Sequence, residues 1–374
     1  MATEVQEIRN PPRHRPPGAY LVDDYYRPEV RELRERYALE EKIDGAADRL
    51  EGALRLSNWL GGINTNGTPP REVALNALEI LNGILNRGWH FHCSWMSVLM
   101  TQVAHAVGYG ARHVALGWDG AQIKGSAHHG CSEIWIDGLD KWVYIDALHR
   151  LHYEKNGVPL SMLEIHHAVY GGGVEGMFMV VGPEREQIAV PNDTSVATME
   201  VYQQHERRDP PKPYPTPGLF HWMAIQLNNA RFAHLHQDME SWVRTMFVRT
   251  PYNAGKVWFQ RLHADDSARN YHWVYWAVDS MEVWSPYQVD FPLNQVHIDW
   301  QEQDGHTLAL AFETTCPNFS HFRIEIDGAR EENVKEPQTR WTLPAGESTL
   351  TVQAVNLFGV HGTASRLRAV RRPE

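Results

Sequence analysis

The stretch that decides the fold reads Gly88-Trp89-His90-Phe91-His92-Cys93-Ser94-Trp95-Met96, a glycine-led turn that runs into a helix. Over residues 94–107 apolar side chains recur at spacings of three and four, which predicts one buried stripe. Cys93 lies on the first turn, where unpaired N–H groups and the positive end of the helix dipole favour a thiolate. A cysteine on an apolar helix is more often a small core residue, but this position makes Cys93 a candidate nucleophile.

Three strands are predicted after this helix. The helix ends at the glycines of 108–110, and the run Ala111-Arg112-His113-Val114-Ala115-Leu116 follows as a predicted buried strand. Residues 131–136 and 141–146 read as two further strands. The turn at 137–140 between them makes these two strands antiparallel neighbours.

The register of this hairpin predicts which side chains meet at its outer end. Counting back from the turn, Ile136 pairs near Lys141, and His129 falls near the register of Asp146 to Leu148. We therefore expect His129 and Asp146 to lie side by side.

Four pieces of sequence stand in order in this region. They are Cys93 at a helix start, Gly108-Tyr109-Gly110-Ala111-Arg112-His113-Val114, His129-Gly130-Cys131-Ser132-Glu133-Ile134-Trp135, and Trp142-Val143-Tyr144-Ile145-Asp146. Together they resemble the transglutaminase-like branch of the papain-fold enzymes, which includes peptide N-glycanases and many bacterial transglutaminase-domain proteins. The resemblance covers roughly residues 50–170.

The resemblance implies an α+β fold with a papain-like, transglutaminase-like catalytic core. It also implies a catalytic triad of Cys93, His129 and Asp146. In such a site His129 takes the proton of Cys93 or holds it as an imidazolium–thiolate pair, while Asp146 orients the ring and stabilises its charged form.

Two residues depart from the family pattern. The position two after the histidine is usually aromatic, and here it is Cys131, which strand alternation puts on the same face as His129. A second thiol is therefore expected near the first. His128 precedes His129, and a shift of the base by one residue would send the ring to the opposite face of the sheet. The spacing to Glu133 favours His129.

Three further residues are predicted to line the substrate site: Trp59, Trp95 and His128. Acyl transfer through a thiol needs donors for the developing oxyanion, and the backbone N–H of Cys93 is a natural one. The family often takes a second donor from an upstream Trp or Gln, for which Trp59 is the candidate. Trp59 also fits a core aromatic on an amphipathic helix, so both interpretations stay open.

Metal binding is the alternative to nucleophilic catalysis in this region. The segment His90-x-His92-Cys93 and the pair His128-His129 offer ligand types that zinc accepts. Neither contains a Cys-x-x-Cys or His-Glu-x-x-His motif, so no metal and no cofactor are predicted. The doublet His166-His167 follows a predicted helix cap, Ser161 with Glu164 three residues on, and is interpreted as surface or cleft lining.

Composition excludes several classes of function. A formal charge of −11 argues against a nucleic-acid or anionic-membrane surface. No stretch approaches the roughly 20 apolar residues of a membrane span, and the start of the chain shows no signal-peptide pattern. The three cysteines are too few and too widely separated for a disulfide framework and suit a reducing compartment. We therefore expect a cytoplasmic protein.

Changes in composition divide the 374 residues into four segments. Residues 1–28, rich in Pro and Arg, predict an extended N-terminal arm. Residues 29–206 are the predicted catalytic core, with helical periodicity over 29–60. Residues 207–293 begin with a proline-rich linker and continue as an aromatic-rich region predicted to pack on the core. Residues 294–374 show short alternating strands and predict a β-sandwich similar to fibronectin type III or immunoglobulin-like modules.

Aromatic residues mark the last two segments. Residues 219–290 are rich in them and include Trp222, Trp242, Trp258, Trp273, Tyr275, Trp276, Trp284 and Tyr287. This density is typical of a tight core or of a stacking platform for sugar rings. In the sandwich, Trp300 and Trp341 are predicted to fill the core.

Two classes of function remain open. One is a cysteine-dependent acyl-transfer enzyme, which hydrolyses amide bonds or passes the acyl group to an amine. The other is a transglutaminase-like scaffold that binds or acts on carbohydrate, with the triad repurposed or inactive. The tryptophans and the trailing sandwich favour a glycan-linked substrate in either class, beside a peptide or simple amide.

Overall fold

The computed structural model describes residues 3–13, 20–70, 73–117, 128–190, 220, 222–226, 229–232, 245–248 and 289–372. Its helices are α1 (Pro28–Tyr37), α2 (Leu39–Ile43), α3 (Arg49–Ile63), α4 (Ala77–Arg87), α5 (Cys93–Ala106) and α6 (Met162–His167). Its strands are β1 (Thr3–Arg9), β2 (Ala111–Gly117), β3 (His128–Ile136), β4 (Lys141–Asp146), β5 (Leu151–Lys155), β6 (Val158–Pro159), β7 (Met177–Val181), β8 (Glu186–Ala189), β9 (Trp222–Gln226), β10 (Thr245–Val248), β11 (Val296–Glu302), β12 (Thr307–Thr314), β13 (Phe319–Ile326), β14 (Ala329–Val334), β15 (Gln338–Thr342), β16 (Gly346–Asn356) and β17 (Ser365–Arg371). The chain divides into two compact units.

The larger unit, Pro16–Ile136 with Lys141–Asp290, combines helices with an antiparallel sheet. The nine strands of the sheet run in the order β10-β9-β2-β3-β4-β5-β7-β8, and β6 pairs with β5. Helix α5 packs on β2 and β3, and one hydrophobic core joins α1, α3, α4 and α5 to the inner faces of β3 and β4. The unit is mixed α+β, which confirms the predicted class at this level.

Local sequence signals place the helix that carries the thiol. Gly88 ends α4 in the left-handed region (φ 65°), so the chain turns there before α5 begins at Cys93. The predicted capping box is also present: the Ser161 hydroxyl accepts from the Glu164 N–H at 3.2 Å, and the Glu164 carboxylate accepts from the Ser161 N–H at 2.8 Å.

The sequence predicts helix throughout residues 29–60, but the structure interrupts the helix twice, so that this stretch forms α1, α2 and the start of α3. Ala38 adopts the left-handed conformation (φ 48°), and its N–H closes the last turn of α1. The chain then leaves α2 at Asp44 and re-enters a helix at Asp48, whose carboxylate accepts from the Glu51 N–H at 2.8 Å. Periodicity reports which side chains face the core but does not reveal these end caps.

A buried ion pair ties β2 to β3. The Arg112 Nε and Nη2 donate to Glu133 Oε2 at 2.8 and 2.6 Å, and both side chains are fully buried. Glu133 Oε1 accepts from the backbone N–H of Met162 at the start of α6. The Arg112 guanidinium carbon lies 4.0 Å from the centroid of the Trp142 ring on β4. Arg112 and Glu133, which both belong to the sequence motifs, therefore neutralise each other's charge inside the sheet.

The smaller unit contains Met1–Arg15, Asp137–Asp140 and Phe291–Glu374. It has a five-stranded sheet, in the order β1-β17-β16-β13-β14, and a three-stranded sheet, in the order β11-β12-β15. The strand pairs described in both sheets are antiparallel, and side chains from both sheets form one core. Part of the predicted N-terminal arm is strand β1, which pairs with β17 from Thr3 opposite Arg371 to Arg9 opposite Arg366.

The two tryptophans predicted for this core differ. Trp341 is 2% exposed and belongs to the core, as predicted. Trp300 is 42% exposed, so its prediction was wrong. Trp300 lies on β11, an edge strand that pairs only with β12 within its sheet, and a residue at such an edge is covered from one side only.

Some predicted features lie outside the described residues. They are the proline-rich break at 207–218 and the aromatic residues from Trp242 to Tyr287. Within the described part of the chain, no helix has the length and apolar character needed to cross a membrane.

Replacing Arg112 with Met tests the importance of the buried pair. The change leaves the Glu133 carboxylate buried without its cation, and we expect the free energy of unfolding to fall by about 3–5 kcal/mol. Urea denaturation measures this loss. Arg36→Met is the matched control, because Arg36 pairs with Glu32 at an exposed position where ion pairs contribute little. Equal effects of the two substitutions would contradict the assigned importance of Arg112.

Candidate functional site

The first turn of α5 presents Cys93. His92 is the N-cap residue, with extended backbone, and its carbonyl accepts from the N–H groups of Trp95 and Met96, both at 3.1 Å. The N–H groups of Cys93 and Ser94 therefore lie ahead of the first intrahelical hydrogen bonds. The Cys93 side chain is half-buried. A half-buried thiol at the positive end of a 14-residue helix matches the predicted position.

The hairpin of β3 and β4 presents His129 and Asp146. Its ladder runs from Ile136 opposite Lys141 to Ser132 opposite Ile145, which confirms the predicted register. His129 Nε2 lies 2.6 Å from Asp146 Oδ2, beyond the last paired residues of the two strands. Both residues are buried. The sequence prediction that these two side chains meet at the outer end of the hairpin is borne out in this geometry.

Gly130 lets the thiol approach the histidine. A Cβ atom at this position would lie 2.8 Å from Ser94 Cα and 3.0 Å from Ser94 N, closer than a side chain tolerates. The first turn of α5 therefore lies directly against the backbone of β3, next to His129. The sequence analysis did not single out Gly130, although a lone glycine inside a strand is a signal of close backbone approach.

The groups around Cys93 and His129 shift the pKa of both residues. Burial alone would raise the pKa of the Cys93 thiol, but hydrogen bonds and charge from His129 and His92 hold that pKa well below its usual range. Burial would lower the pKa of His129, yet the Asp146 carboxylate and the hydrogen bond with Cys93 raise it well above its usual value. The two shifts together favour a thiolate–imidazolium pair.

Asp146 is held by a turn of its own backbone and by a second histidine. Its Oδ1 accepts from the N–H groups of Leu148 and His149 at 3.0 and 3.2 Å. Its Oδ2 lies 2.8 Å from His149 Nδ1 as well as 2.6 Å from His129 Nε2. Burial would raise the pKa of Asp146, but the two histidines outweigh it and lower the pKa, so the carboxyl group stays ionised.

Sequence reasoning missed His149. Its ring centroid lies 5.3 Å from that of His129, with 32° between the ring planes, so the two imidazoles pack side by side over one carboxylate oxygen. The signal was present as an aspartate followed three residues later by a histidine, in a stretch where an aspartate caps its own turn.

Two of the predicted substrate-site residues lie in or against the core. Trp95 is 2% exposed, and its ring centroid lies 5.4 Å from that of Phe91. Its side chain therefore presents almost no surface to a substrate. Trp59 packs against the helical core, with the Lys42 ammonium 5.3 Å from its ring centroid, which fits the interpretation of a core aromatic. His128 is the first residue of β3, opposite Gly117, and its side chain lies outside the described atoms.

Cys131 is buried and chemically unlike Cys93. Its Sγ lies 3.9 Å from the carbonyl oxygen of Val114. Burial and the nearby charge of Asp146 raise the pKa of Cys131 well above its usual value, although a hydrogen bond with Tyr144 acts the other way. The second thiol is thus close to the site, as expected, but it stays protonated.

Among the described residues, one group of side chains of the kinds that bind metals lies close together. It differs from the group that the sequence suggested, which was His90, His92 and Cys93 with His128 and His129. His129, Asp146 and His149 place their ligand atoms within 4.8 Å of one another. Ligands about 2.0–2.2 Å from a tetrahedral zinc ion stand roughly 3.3 Å apart. The separation of 2.6 Å between His129 Nε2 and Asp146 Oδ2 is shorter and fits a charge-assisted hydrogen bond. We therefore interpret the cluster as a hydrogen-bonded one.

Comparisons with known proteins add little. The sequence matches no family model, and it matches no curated protein. Among solved structures, the chain is similar to the crystal structure of red sea bream transglutaminase, with 11% identity and a TM-score of 0.25. The match covers 92% of this chain and 72% of the other. This likeness is weak, and any functional interpretation rests on the residues of the site.

Replacing Gly130 with Ala tests the close packing of α5 on β3. The added methyl group must push the first turn of α5 away from the strand, because its neighbours are backbone atoms. We expect the rate of Cys93 alkylation by iodoacetamide at neutral pH to fall at least about tenfold. Gly62→Ala is the control, because a Cβ there meets nothing within 4 Å. An unchanged alkylation rate in a folded Gly130→Ala protein would contradict this role.

Proposed function

We propose that this protein is a cysteine-dependent acyl-transfer enzyme of the transglutaminase-like kind. In this proposal Cys93 is the nucleophile, His129 the acid and base, and Asp146 the group that orients the histidine. The observation that carries the proposal is a thiol at a helix N-terminus that interacts with a histidine bonded to a buried carboxylate, with the pKa of Cys93 lowered and that of His129 raised.

The chemistry follows from the positions of the protons. His129 Nε2 faces Asp146, which leaves Nδ1 as the ring nitrogen available to the thiol. In this proposal Nδ1 carries the proton of the ion pair. The Cys93 thiolate attacks the carbonyl carbon of an amide, and the backbone N–H groups of Cys93 and Ser94 are the donors available for the oxyanion. The His129 imidazolium then protonates the leaving amine as the C–N bond breaks, which leaves a thioester on Cys93.

The second half-reaction returns the enzyme to its starting state. Neutral His129 takes a proton from water or from an amine as that nucleophile attacks the thioester. The C–S bond breaks, and the products are an acid or a new amide together with the Cys93 thiolate. Whether water or an amine enters decides between a hydrolase and a transamidase, and a peptide, a simple amide or a glycan-linked amide would serve as the acyl donor.

The proposal extends to the architecture. We assign residues 29–206 to a papain-like core and residues 294–374 to a sandwich of fibronectin type III or immunoglobulin-like type, with a supporting role. The packing of α5 on an antiparallel sheet supports the first assignment. The single core filled from two antiparallel sheets supports the second. The predicted cytoplasmic location belongs to the same proposal.

A carbohydrate-binding scaffold is the alternative, favoured by the crowding of tryptophans in residues 219–290. A scaffold of this kind would bind or act on carbohydrate without forming a bond to Cys93. The two functions therefore differ in whether a covalent acyl-enzyme exists, and substitutions in the triad separate them.

We expect Cys93→Ala to abolish acylation by p-nitrophenyl acetate, with no acetyl thioester detected by intact-protein mass spectrometry. Loss of His129 through His129→Gln should slow acylation by about 10⁴-fold, and Asp146→Asn should cost less, because it perturbs the orientation and charge of a base that remains. Thermal unfolding checks that each variant is folded. Acetylation that persists in Cys93→Ala, or negligible effects of the other two variants, would reject the enzyme and favour the scaffold.

A further inference from the structure

We propose that His149 is a positioning residue, which shares the Asp146 carboxylate with His129 and limits how strongly that carboxylate holds the His129 proton. The inference rests on the proposed function, because it assigns a fourth residue to the same acid–base site. His149 lies three residues beyond the last of the four sequence motifs, which ends at Asp146.

Both imidazoles use the same oxygen atom of Asp146. His129 Nε2 lies 2.6 Å from Oδ2 and His149 Nδ1 lies 2.8 Å from it, so two N–H groups donate to one carboxylate oxygen. Each donor withdraws part of the negative charge available to the other. His129 is therefore paired with a carboxylate that is already partly neutralised by His149.

The backbone holds one oxygen of the carboxylate independently of the His149 side chain. Oδ1 accepts from the N–H groups of Leu148 and His149, and both bonds remain when the imidazole is removed. Removing the ring therefore changes mainly the charge at Oδ2. This separation makes the effect of His149 measurable as a change in the titration of His129.

The His149 ring lies beside the His129 ring and is largely buried. It packs at 5.3 Å between centroids beside the His129 ring, and its side chain is 19% exposed. Titratable groups that interact with Asp146 or His129 include Cys93 at the start of α5, Cys131 on β3 and Tyr144 on β4, and His92 in turn acts on Cys93. These groups are retained in a His149 variant, so a change in the His129 titration is assigned to the loss of the His149 ring.

The functional consequence concerns the leaving group. An imidazolium held too tightly by a full carboxylate charge is a weak acid and gives up its proton slowly. Sharing Asp146 keeps the proton of His129 available when the amine departs. This predicts an effect on kcat with little effect on KM, since His149 acts on a proton and not on substrate contacts.

The experiment compares His149→Ala with His149→Asn, whose side-chain amide nitrogen takes the place of Nδ1 and keeps the donor. The titration of His129 is followed by NMR in protein labelled on histidine, with the signal assigned by its loss in His129→Gln. In His149→Ala we expect the pKa of His129 to move to higher pH by about half a unit to one unit. The His149→Asn protein should titrate like wild type. Thermal unfolding confirms that both variants are folded.

The result that overturns the proposal is an unmoved His129 titration in His149→Ala, or equal movement in both variants. A purely structural role would lower activity in His149→Ala without moving the titration. The NMR measurement needs no substrate, so it tests His149 even if Cys93 forms no acyl-enzyme. Conversely, acyl-enzyme formation with an unmoved titration rejects His149 alone and leaves the proposed function intact.

Discussion

The packing of the first turn of α5 directly on the backbone of β3 is the contact on which the rest of the site depends. Gly130 permits it, because any larger residue would meet the backbone of Ser94. Through this contact the thiol at the helix start reaches a histidine on the strand. Glu133 lies four residues beyond His129 on β3, and its pair with Arg112 holds β3 against β2. A reactive thiol needs such a rigid support, since the histidine beside it must stay within hydrogen-bonding distance.

Neighbouring groups, and not burial alone, decide the chemistry of the two thiols near this site. Cys93 and Cys131 both lose solvation, which raises a thiol pKa. Cys93 meets His129 and His92 at the positive end of a helix, and its pKa falls. Cys131 meets the Asp146 charge instead, and its pKa rises. The same carboxylate therefore supports one thiolate through His129 and keeps the other thiol protonated.

Local patterns predicted much of the hairpin, the helix start at Cys93 and the cap at Ser161, because these depend on residues close in sequence. The pairing of Ile136 with Lys141 followed from the turn at residues 137–140. The pairing of β1 with β17 joins the two ends of the chain, and no local pattern encodes it. The exposure of Trp300 depends on which strand lies at an edge, and the role of His149 depends on a turn that brings it back over Asp146. Hydrophobic periodicity predicts which face of a helix or strand is buried. The β1–β17 pairing, the exposure of Trp300 and the position of His149 depend instead on how elements distant in sequence pack together.

The central claim is that Cys93 exists as a thiolate paired with imidazolium near neutral pH, and site-resolved alkylation tests it most directly. Iodoacetamide is reacted over a range of pH, and peptide mass spectrometry follows each of the three cysteines. A lowered pKa means that the thiolate is present above that pKa, so the Cys93 rate should rise well below the ordinary thiol value of about 8.5. Cys131 and Cys316 are internal controls, since burial raises the pKa of both, that of Cys316 to about 12. Reaction of Cys93 only near pH 8.5, or no faster than the controls, would contradict the account.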